Sequence, residues 1–568
     1  MNGIDTAPGK ATQQTMEQSG FSRNYWPLFA GGTVAVIVAT AIVWSHAHPY
    51  GLHWDEAQYL DEIGIDVLRL RAGKLLVLGG RLLIKSFGRP PAYRILVLPF
   101  LGVFGFHVLI TRLVSLACYS LSAWLVYLAA NQISGRIAAA FAALIFALSP
   151  EVIGASIVFG TDASLYLSTA AMLFYLFRLW TDTSEKPRDS IGLGLAIGLG
   201  LLSKTSFLVI ALPIIAFWFV ARRWFHVNIP SLASQRRAGL IALCMAGPWW
   251  LLNARSAFGY GQYARGFVRD SLGSPSIATW ARWFNTVLQC LLGHGISILI
   301  ALVVLSCIVA VAVKKDRILD RLQWTALGAC ASAGLPIVLV QLSGTNHLLR
   351  HISPAVIPLA VIVGVLADAT GWGHSAVTTA ISSLLFCGQL GMIVYPVVFP
   401  NTRPVDLGFV NATLPWRVMA RSEQWDWAPV RELGVRCGLD IPTISYLGHG
   451  RGFNAPTITY FWVAQEGKFN DVRWLWRFED GPLDWEKVMS QADQSDIVVT
   501  APGYIGAPRN SEDLDNQHNA EFAARLAQDP HFREPIRFEM GRFQPVEVLV
   551  YVNNSLTCTS ADGPSAGR

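Results

Sequence analysis

An acidic pair, Asp55-Glu56, opens the segment Asp55-Glu56-Ala57-Gln58-Tyr59 just after the first membrane-length apolar run, residues 27–46. The carboxylates therefore emerge at the membrane surface opposite the N-terminus. A basic turn, Arg89-Pro90-Pro91, follows, and Asp162, Lys204 and Arg350 fall at later span ends on that same face. A lone acid there would simply be hydrated. An acid that can take a proton, beside cations that can hold a phosphate, suits group transfer at a membrane face.

Only a membrane-embedded frame fits the composition. Of 568 residues, 52% are hydrophobic and 14% charged, against about 25% charged in an ordinary soluble protein. Twenty Trp and twenty-nine Phe suit interfacial belts and packed helices. The net charge of +6 is modest, and no nucleic acid is expected as a partner.

A helix crossing the hydrocarbon needs roughly 20 apolar residues. Runs of that kind lie near 27–46, 108–130, 136–153, 163–180, 191–203, 205–221, 239–255, 288–313, 322–342, 351–368 and 374–398. They predict a polytopic α-helical protein of about eleven spans. The run 191–203 is short, ends at Ser203-Lys204, and would be tilted or partly re-entrant. The short loops on one side carry Arg136, Lys186, Arg188, Arg222, Arg223, Arg236, Arg237, Lys314, Lys315, Arg317 and Arg321. By the positive-inside rule the N-terminal tail 1–26 is cytoplasmic and the C-terminus lies outside. Ser45-His46-Ala47 resembles a signal-peptidase site, but the preceding apolar run is longer than a signal h-region.

Three outer segments are unusual. Residues 47–107 contain stretches, Ile63 to Leu70 and Leu96 to Phe106, that read as short interfacial helices. Residues 256–287 form a loop rich in aromatics and Arg, and the third segment is the turn Ser343 to Arg350. Arg89, Lys204 and Arg350 thus sit at the depth of a lipid phosphate, where Arg can bind in a fork and Lys as a point charge. Taken singly, each could instead be snorkelling to headgroups. Asp162, in Phe159-Gly160-Thr161-Asp162, would cap the fourth span's helix. Asp61, Glu62 and Asp66 have the spacing of a solvated helix face. No two of His53, His294 and His347 have zinc-site spacing, so no metal or other cofactor is expected.

These residues resemble, in order, the motifs of the GT-C membrane glycosyltransferases. The likeness is to the branch of the protein O-mannosyltransferases and the bacterial aminoarabinose transferase acting on lipid A. Asp55-Glu56-Ala57-Gln58-Tyr59 resembles the acidic motif of the first outer loop, and Arg89-Pro90-Pro91-Ala92-Tyr93 the basic Pro-Pro motif. Phe104-Gly105 with Arg112, Asp162, Gly198 to Lys204, Pro248-Trp249 with Asn253, and Arg350-His351-Ile352-Ser353-Pro354 resemble the later ones. The likeness covers about residues 25–400. Arg89 stands where the family has His or Lys, and His351 replaces Tyr. Gly88 occupies a position that is acidic in the lipid A enzymes, so their metal contacts do not carry over. The MIR insertion of eukaryotic mannosyltransferases is absent.

The resemblance implies a transferase using a polyprenyl-phosphate sugar donor and an acceptor lipid, glycan or protein on the outer face of the inner (plasma) membrane. It implies Asp55 as base, with Glu56 and Asp162 as the other acids, and in-line displacement with inversion. A carboxylate at a low-dielectric boundary gains basicity. Arg89, Lys204 and Arg350 would hold the donor phosphate. Tyr59, Tyr93 and His351 would line the substrate loop.

From about residue 399 to 555 charges spread evenly, and helices alternate with strands. Helices are expected at Asp426 to Leu439, Trp485 to Ala492 and Ala520 to Gln528. Strands are expected at Thr443 to Leu447, Asp496 to Thr500 and Val546 to Val552, giving a soluble extracytoplasmic α/β domain. Gly448-His449-Gly450-Arg451-Gly452 follows a strand and could cradle an anion, though it lacks a nucleotide fingerprint. Residues 556–568 read as a disordered tail. Cys437 and Cys558 share a compartment that permits a disulfide, but with Cys558 in the tail no pair is expected. Asn411-Ala412-Thr413 and Asn553-Asn554-Ser555 have the form of glycosylation sequons.

Two other classes compete. A lipid or glycan transporter would place its polar residues at the midplane and often shows an inverted repeat; here they gather at one face. A non-catalytic envelope assembly factor would work through the C-terminal domain and tolerate loss of Asp55.

Overall fold

The computed structural model describes residues 11–48, 54–84, 89–182, 186–224, 231–272, 277–313, 319–343, 349–399, 425–450, 452–477, 480–504, 511–540 and 545–559. His53, Gly88, His347, Arg451 and the tail beyond 559 lie outside them, as do Asn411-Ala412-Thr413 and most of the turn Ser343 to Arg350. The chain forms two compact units. The first comprises 1–45, 79–96 and 112–417; the second comprises 46–78, 97–111 and 418–568.

The first unit is a helical bundle. Among the described residues, seven helices are long and apolar enough to cross a membrane, and the bent pair Arg136–Ala147 and Pro150–Ile157 would make an eighth. The other expected spans also form helices, Pro187–Ser203, Phe207–Trp224 and Leu232–Leu272, but do not meet that test of length and apolarity. Two boundaries differ from expectation. The first span's helix reaches back to Ala11, and Leu232–Leu272 continues through most of what read as a loop after residue 255. Close helix approach explains the glycine-rich run 192–200. A Cβ on Gly194 would lie 2.6 Å from the Ala238 carbonyl, so only glycine lets these two backbones touch.

Interruptions in the bundle have physical causes and polar compensation. Pro150 lacks an N–H and its ring blocks a continuous ladder, so the span bends by 61° there. Nearby, Val287–Leu292 is a π-helix closed by Gly293 at φ 81°. Buried Gln389 serves both irregular places. Its Oε1 accepts from the Gly295 N–H at 3.1 Å, and its Nε2 donates to the Leu148 carbonyl at 3.4 Å. Irregular backbone at membrane depth persists only where such partners exist. At the opposite end of the bundle, Trp26 Nε1 donates to the Gly373 carbonyl, and Gln323, Ser134 and Asp368 form a chain. The span ends assigned to one side by charge therefore meet.

The second unit is built on a five-stranded sheet of order β2-β1-β3-β5-β4. The strands are β1 Thr443–Tyr446, β2 Asp471–Trp474, β3 Ile497–Thr500, β4 Ile536–Met540 and β5 Val546–Val552. β1 is parallel to β2 and β3, while β5 is antiparallel to β3 and β4. Leu447, Val488, Val498, Phe522 and Tyr551 form its core. A disulfide joins Cys437 to Cys558, and Thr559 N donates to the Arg436 carbonyl. This corrects two expectations: the cysteines do pair, and the chain is fixed through residue 559 instead of loosening at 556.

Helix Trp54–Arg71 packs on helix Ala455–Glu466 within this unit. A Cβ on Gly64 would stand 2.6 Å from Val463 Cγ1, so the contact is tight. Asp61, Glu62 and Asp66 are consequently buried, at 3%, 6% and 0% exposure, and not on a solvated face. Asp61 Oδ1 has no hydrogen-bond partner among the described residues. Burial, and then the neighbouring Glu62, push its carboxyl well above the ordinary range. The folded protein thus keeps a proton that the unfolded chain releases near pH 4. This contribution is fully present below that pH and is lost as pH rises through the folded value. Asp61→Asn should therefore raise stability at pH 7, with the gain fading toward pH 4. Thermal unfolding of the purified protein at both pH values checks this; an equal effect at both would refute it.

Candidate functional site

In the first unit the candidate site grows from helix ends. Thr161–Thr181 begins after Gly160, which makes no side-chain cap bond. Asp162, in the first turn, is not the cap expected from sequence. Its Oδ1 accepts from Lys204 Nζ at 2.6 Å, with 13% and 20% of the two side chains exposed. Lys204 follows the last residue of Pro187–Ser203, its backbone extended, so the chain breaks there to turn its side chain toward Asp162. An ammonium has three donors; this ion pair uses one.

Residues far apart in sequence support this pair. Tyr93 meets Phe159 edge-on at 5.6 Å, two residues before Thr161. Ala92, Leu202, Ala246, Trp249 and Ala257 form one buried cluster. Asn253 Nδ2 donates to the Trp249 and Leu83 carbonyls at 2.9 and 2.5 Å, and Trp250 Nε1 donates to the Leu201 carbonyl at 3.1 Å. The Pro-Pro, Gly-rich and Pro-Trp motifs are thus three faces of one packing unit around Asp162 and Lys204. Arg89 stands half-buried at its edge, before Pro90.

Helix Leu349–Ile352 places Arg350 and His351, both half-buried, against Pro150–Ile157 and the π-helix. Ser353 Oγ donates to the Arg350 carbonyl at 2.9 Å and pairs with Tyr166 Oη at 2.5 Å. Glu151 lies within electrostatic reach of Asp162, Arg350 and Lys204. Sequence reading missed Glu151. Its signal was the Ser149-Pro150 break, which brings a first-turn carboxylate to the irregular end of a span. Arg112, singled out by motif, is fully buried over the Trp44 ring at 5.3 Å.

Asp55, Glu56 and Tyr59 belong to the second unit, in the first turns of helix Trp54–Arg71. Asp55 is half-buried and Glu56 is 1% exposed. A helix N-terminus offers unpaired N–H groups that favour carboxylates. Tyr59 and Tyr93 are buried, which leaves His351 as the one of the three substrate-loop candidates with surface to offer.

The glycine run after β1 is no anion cradle. A Cβ on Gly450 would fall 1.9 Å from Tyr504 Oη, and one on Gly452 would fall 1.8 Å from Trp425 Cδ1. The space is already filled by aromatic rings. One set of three metal-ligand side chains, Asp493, Asp529 and His531, gathers among the described residues. His531 Nδ1 sits 2.8 Å from Asp529 Oδ1, and that bond, with the nearby Asp493, raises the imidazole's proton affinity. Asp493 Oδ1 lies 3.9 Å from His531 Nδ1 and has no hydrogen-bond partner among the described residues.

A family model, dolichyl-phosphate-mannose-protein mannosyltransferase, matches residues 88–251. No curated protein sequence matches the chain. Among solved structures, ArnT from Cupriavidus metallidurans bound to undecaprenyl phosphate is similar at a TM-score of 0.53 and 14% identity, over 92% of this chain and 98% of that one. AglB from Archaeoglobus fulgidus, solved with an inhibitory peptide and a dolichol-phosphate, gives 0.51 at 12% identity, over 94% and 75%. The arabinofuranosyltransferase AftD from Mycobacteria gives 0.51 at 12%, over 92% of this chain and 40% of that larger one. With a helical bundle, a small C-terminal sheet and this match over the Pro-Pro and Gly-rich motifs, the chain has the fold of the GT-C membrane glycosyltransferases.

Proposed function

We propose that the protein transfers a sugar from a polyprenyl-phosphate donor to an acceptor hydroxyl at the outer face of the inner membrane, with inversion. The observation that carries this reading is the Asp162–Lys204 pair at broken span ends beside Arg350 and Glu151, within the GT-C fold. ArnT and AglB, which share that fold, were solved with undecaprenyl phosphate and a dolichol-phosphate. The acceptor oxygen attacks the anomeric carbon, the bond from that carbon to the phosphate oxygen breaks, and the acceptor proton passes to Asp55. The leaving phosphate gains a negative charge, so Lys204, Arg350 and Arg89 hold it more tightly as it departs than before. Glu151 and Asp162 orient the cations. Mass spectrometry of envelope lipids and glycans from deletion and wild-type cells tests the reading: a missing sugar names the product, and identical profiles reject it.

In this reading the N-terminus is cytoplasmic and the C-terminal unit extracytoplasmic, which the Cys437–Cys558 disulfide supports, since such bonds persist in oxidising compartments. A membrane-impermeant thiol reagent should modify Glu534→Cys in intact spheroplasts and spare Arg188→Cys, both exposed positions. The reverse pattern would turn the protein over and remove the reaction from the outer face.

A further inference from the structure

We infer that the C-terminal sheet positions the acidic pair, through a stack of Arg477, Trp474 and His449 that ends on Trp54, the residue immediately before Asp55. This rests on the reading of Asp55 as the base, and it gives the C-terminal unit a part in the reaction. His449 and Trp474 act as positioning residues and touch no substrate.

The stack is continuous and its members come from fixed points. Trp474 is the last residue of β2, at its carboxyl end. The Arg477 guanidinium lies 4.6 Å over the Trp474 ring, and the His449 ring lies nearly parallel to it at 4.2 Å and 16°. Trp54 meets His449 at 4.8 Å and Trp474 at 6.3 Å. Arg477 and His449 each lie against the plane of the Trp474 ring.

His449 is held from below as well. Gly448, at φ +87°, turns the chain after β1, and a Cβ there would lie 2.5 Å from Asn516 Oδ1. That glycine lets Asn516 reach the backbone. It accepts from the His449 N–H at 3.0 Å and donates to the His449 carbonyl at 2.9 Å. Burial, and then the Arg477 charge, lower the imidazole to about 3. The ring is therefore neutral at any working pH and serves as a flat apolar tile.

On the other side, the turn after Trp54 is clamped. Glu56, Ala57 and Leu60 are 1%, 0% and 0% exposed in helix Trp54–Arg71, which packs on Ala455–Glu466. Trp54 is the first described residue of helix Trp54–Arg71, so what holds its ring also holds the backbone beside Asp55. A misplacement of about 1 Å costs on the order of 100-fold in rate, which is the loss expected when the stack is cut.

Hydrogen exchange of the full-length protein in detergent tests this, with envelope product measured in parallel. Trp474→Ala and His449→Gln should speed exchange over residues 54–60 at least tenfold and lower product about 100-fold. Exchange in β1 and β3 should stay as in wild type. His449→Phe, which keeps a flat neutral ring, should match wild type in both readouts. Unchanged exchange at 54–60 after Trp474→Ala overturns the inference, and so does loosening spread equally over the whole sheet. Loss of product in His449→Phe with normal exchange also overturns it, because His449 would then act chemically. Should Asp55→Asn retain product while the exchange effect holds, the base assignment fails and the clamp on this turn stands.

Discussion

Asp55→Asn is expected to fold and insert normally and to lose sugar transfer by at least 10²–10⁴-fold, the usual worth of a general base. The substitution keeps the side chain's size and removes only its ability to take a proton. Asn is also well tolerated near a helix start, and Asp55 sits in the first turn of Trp54–Arg71. Wild-type stability of the purified variant, with transfer absent, is the result that supports the role. Retained transfer would move the base to Glu56 or Asp162. Between these, Glu56→Gln is the harder change to interpret, because Glu56 is 1% exposed and its loss disturbs packing. The assembly-factor reading predicts the opposite outcome, with Asp55→Asn leaving envelope glycans intact.

Much of the frame was legible because membrane physics leaves few choices. Apolar runs of sufficient length gave helices at every expected span, and charge bias grouped span ends that the bundle joins through Trp26, Ser134, Gln323 and Asp368. The strands at 443, 497 and 546 fell within a residue or two of expectation, since their apolar faces are buried. Edge strands were not legible. Ile536–Met540 is mostly exposed, and Asp471–Trp474 carries charges at alternate positions. Helix Ala455–Glu466 was missed because Thr-Ile-Thr-Tyr-Phe-Trp-Val favours strand; Asn454 caps it through Thr457 N, and packing on Trp54–Arg71 overrides propensity. The buried acids of that helix looked solvated for the same reason: one helix's periodicity does not reveal a partner some 400 residues away. Single residues of the site, Asp162 and Lys204, were visible as types at span ends. Their pairing, and the part of Glu151, depend on where the span breaks.

Lys204→Met should weaken undecaprenyl phosphate binding more than tenfold, as truncating one member of a buried charge pair costs roughly 2–5 kcal/mol. That result alone would be ambiguous. Lys204 Nζ is also bonded to Asp162 at 2.6 Å, so its removal strands a half-buried carboxylate beside Glu151 and destabilises the protein. The pair of Lys204→Met with Asp162→Asn separates the two effects. The double variant relieves the stranded charge and should recover stability, yet it still lacks the ammonium and should still bind the lipid phosphate weakly. Native mass spectrometry of the purified protein with undecaprenyl phosphate reads binding, and thermal unfolding reads stability. Arg350→Ala and Arg89→Ala should also lower phosphate binding, with at least one exceeding tenfold, whereas cations that merely reach for headgroups would change it less than about threefold. Recovery of both stability and binding in the double variant would make Asp162–Lys204 a structural pair. The donor phosphate would then have to be held elsewhere, with Arg350 and its neighbour Glu151 the first place to look.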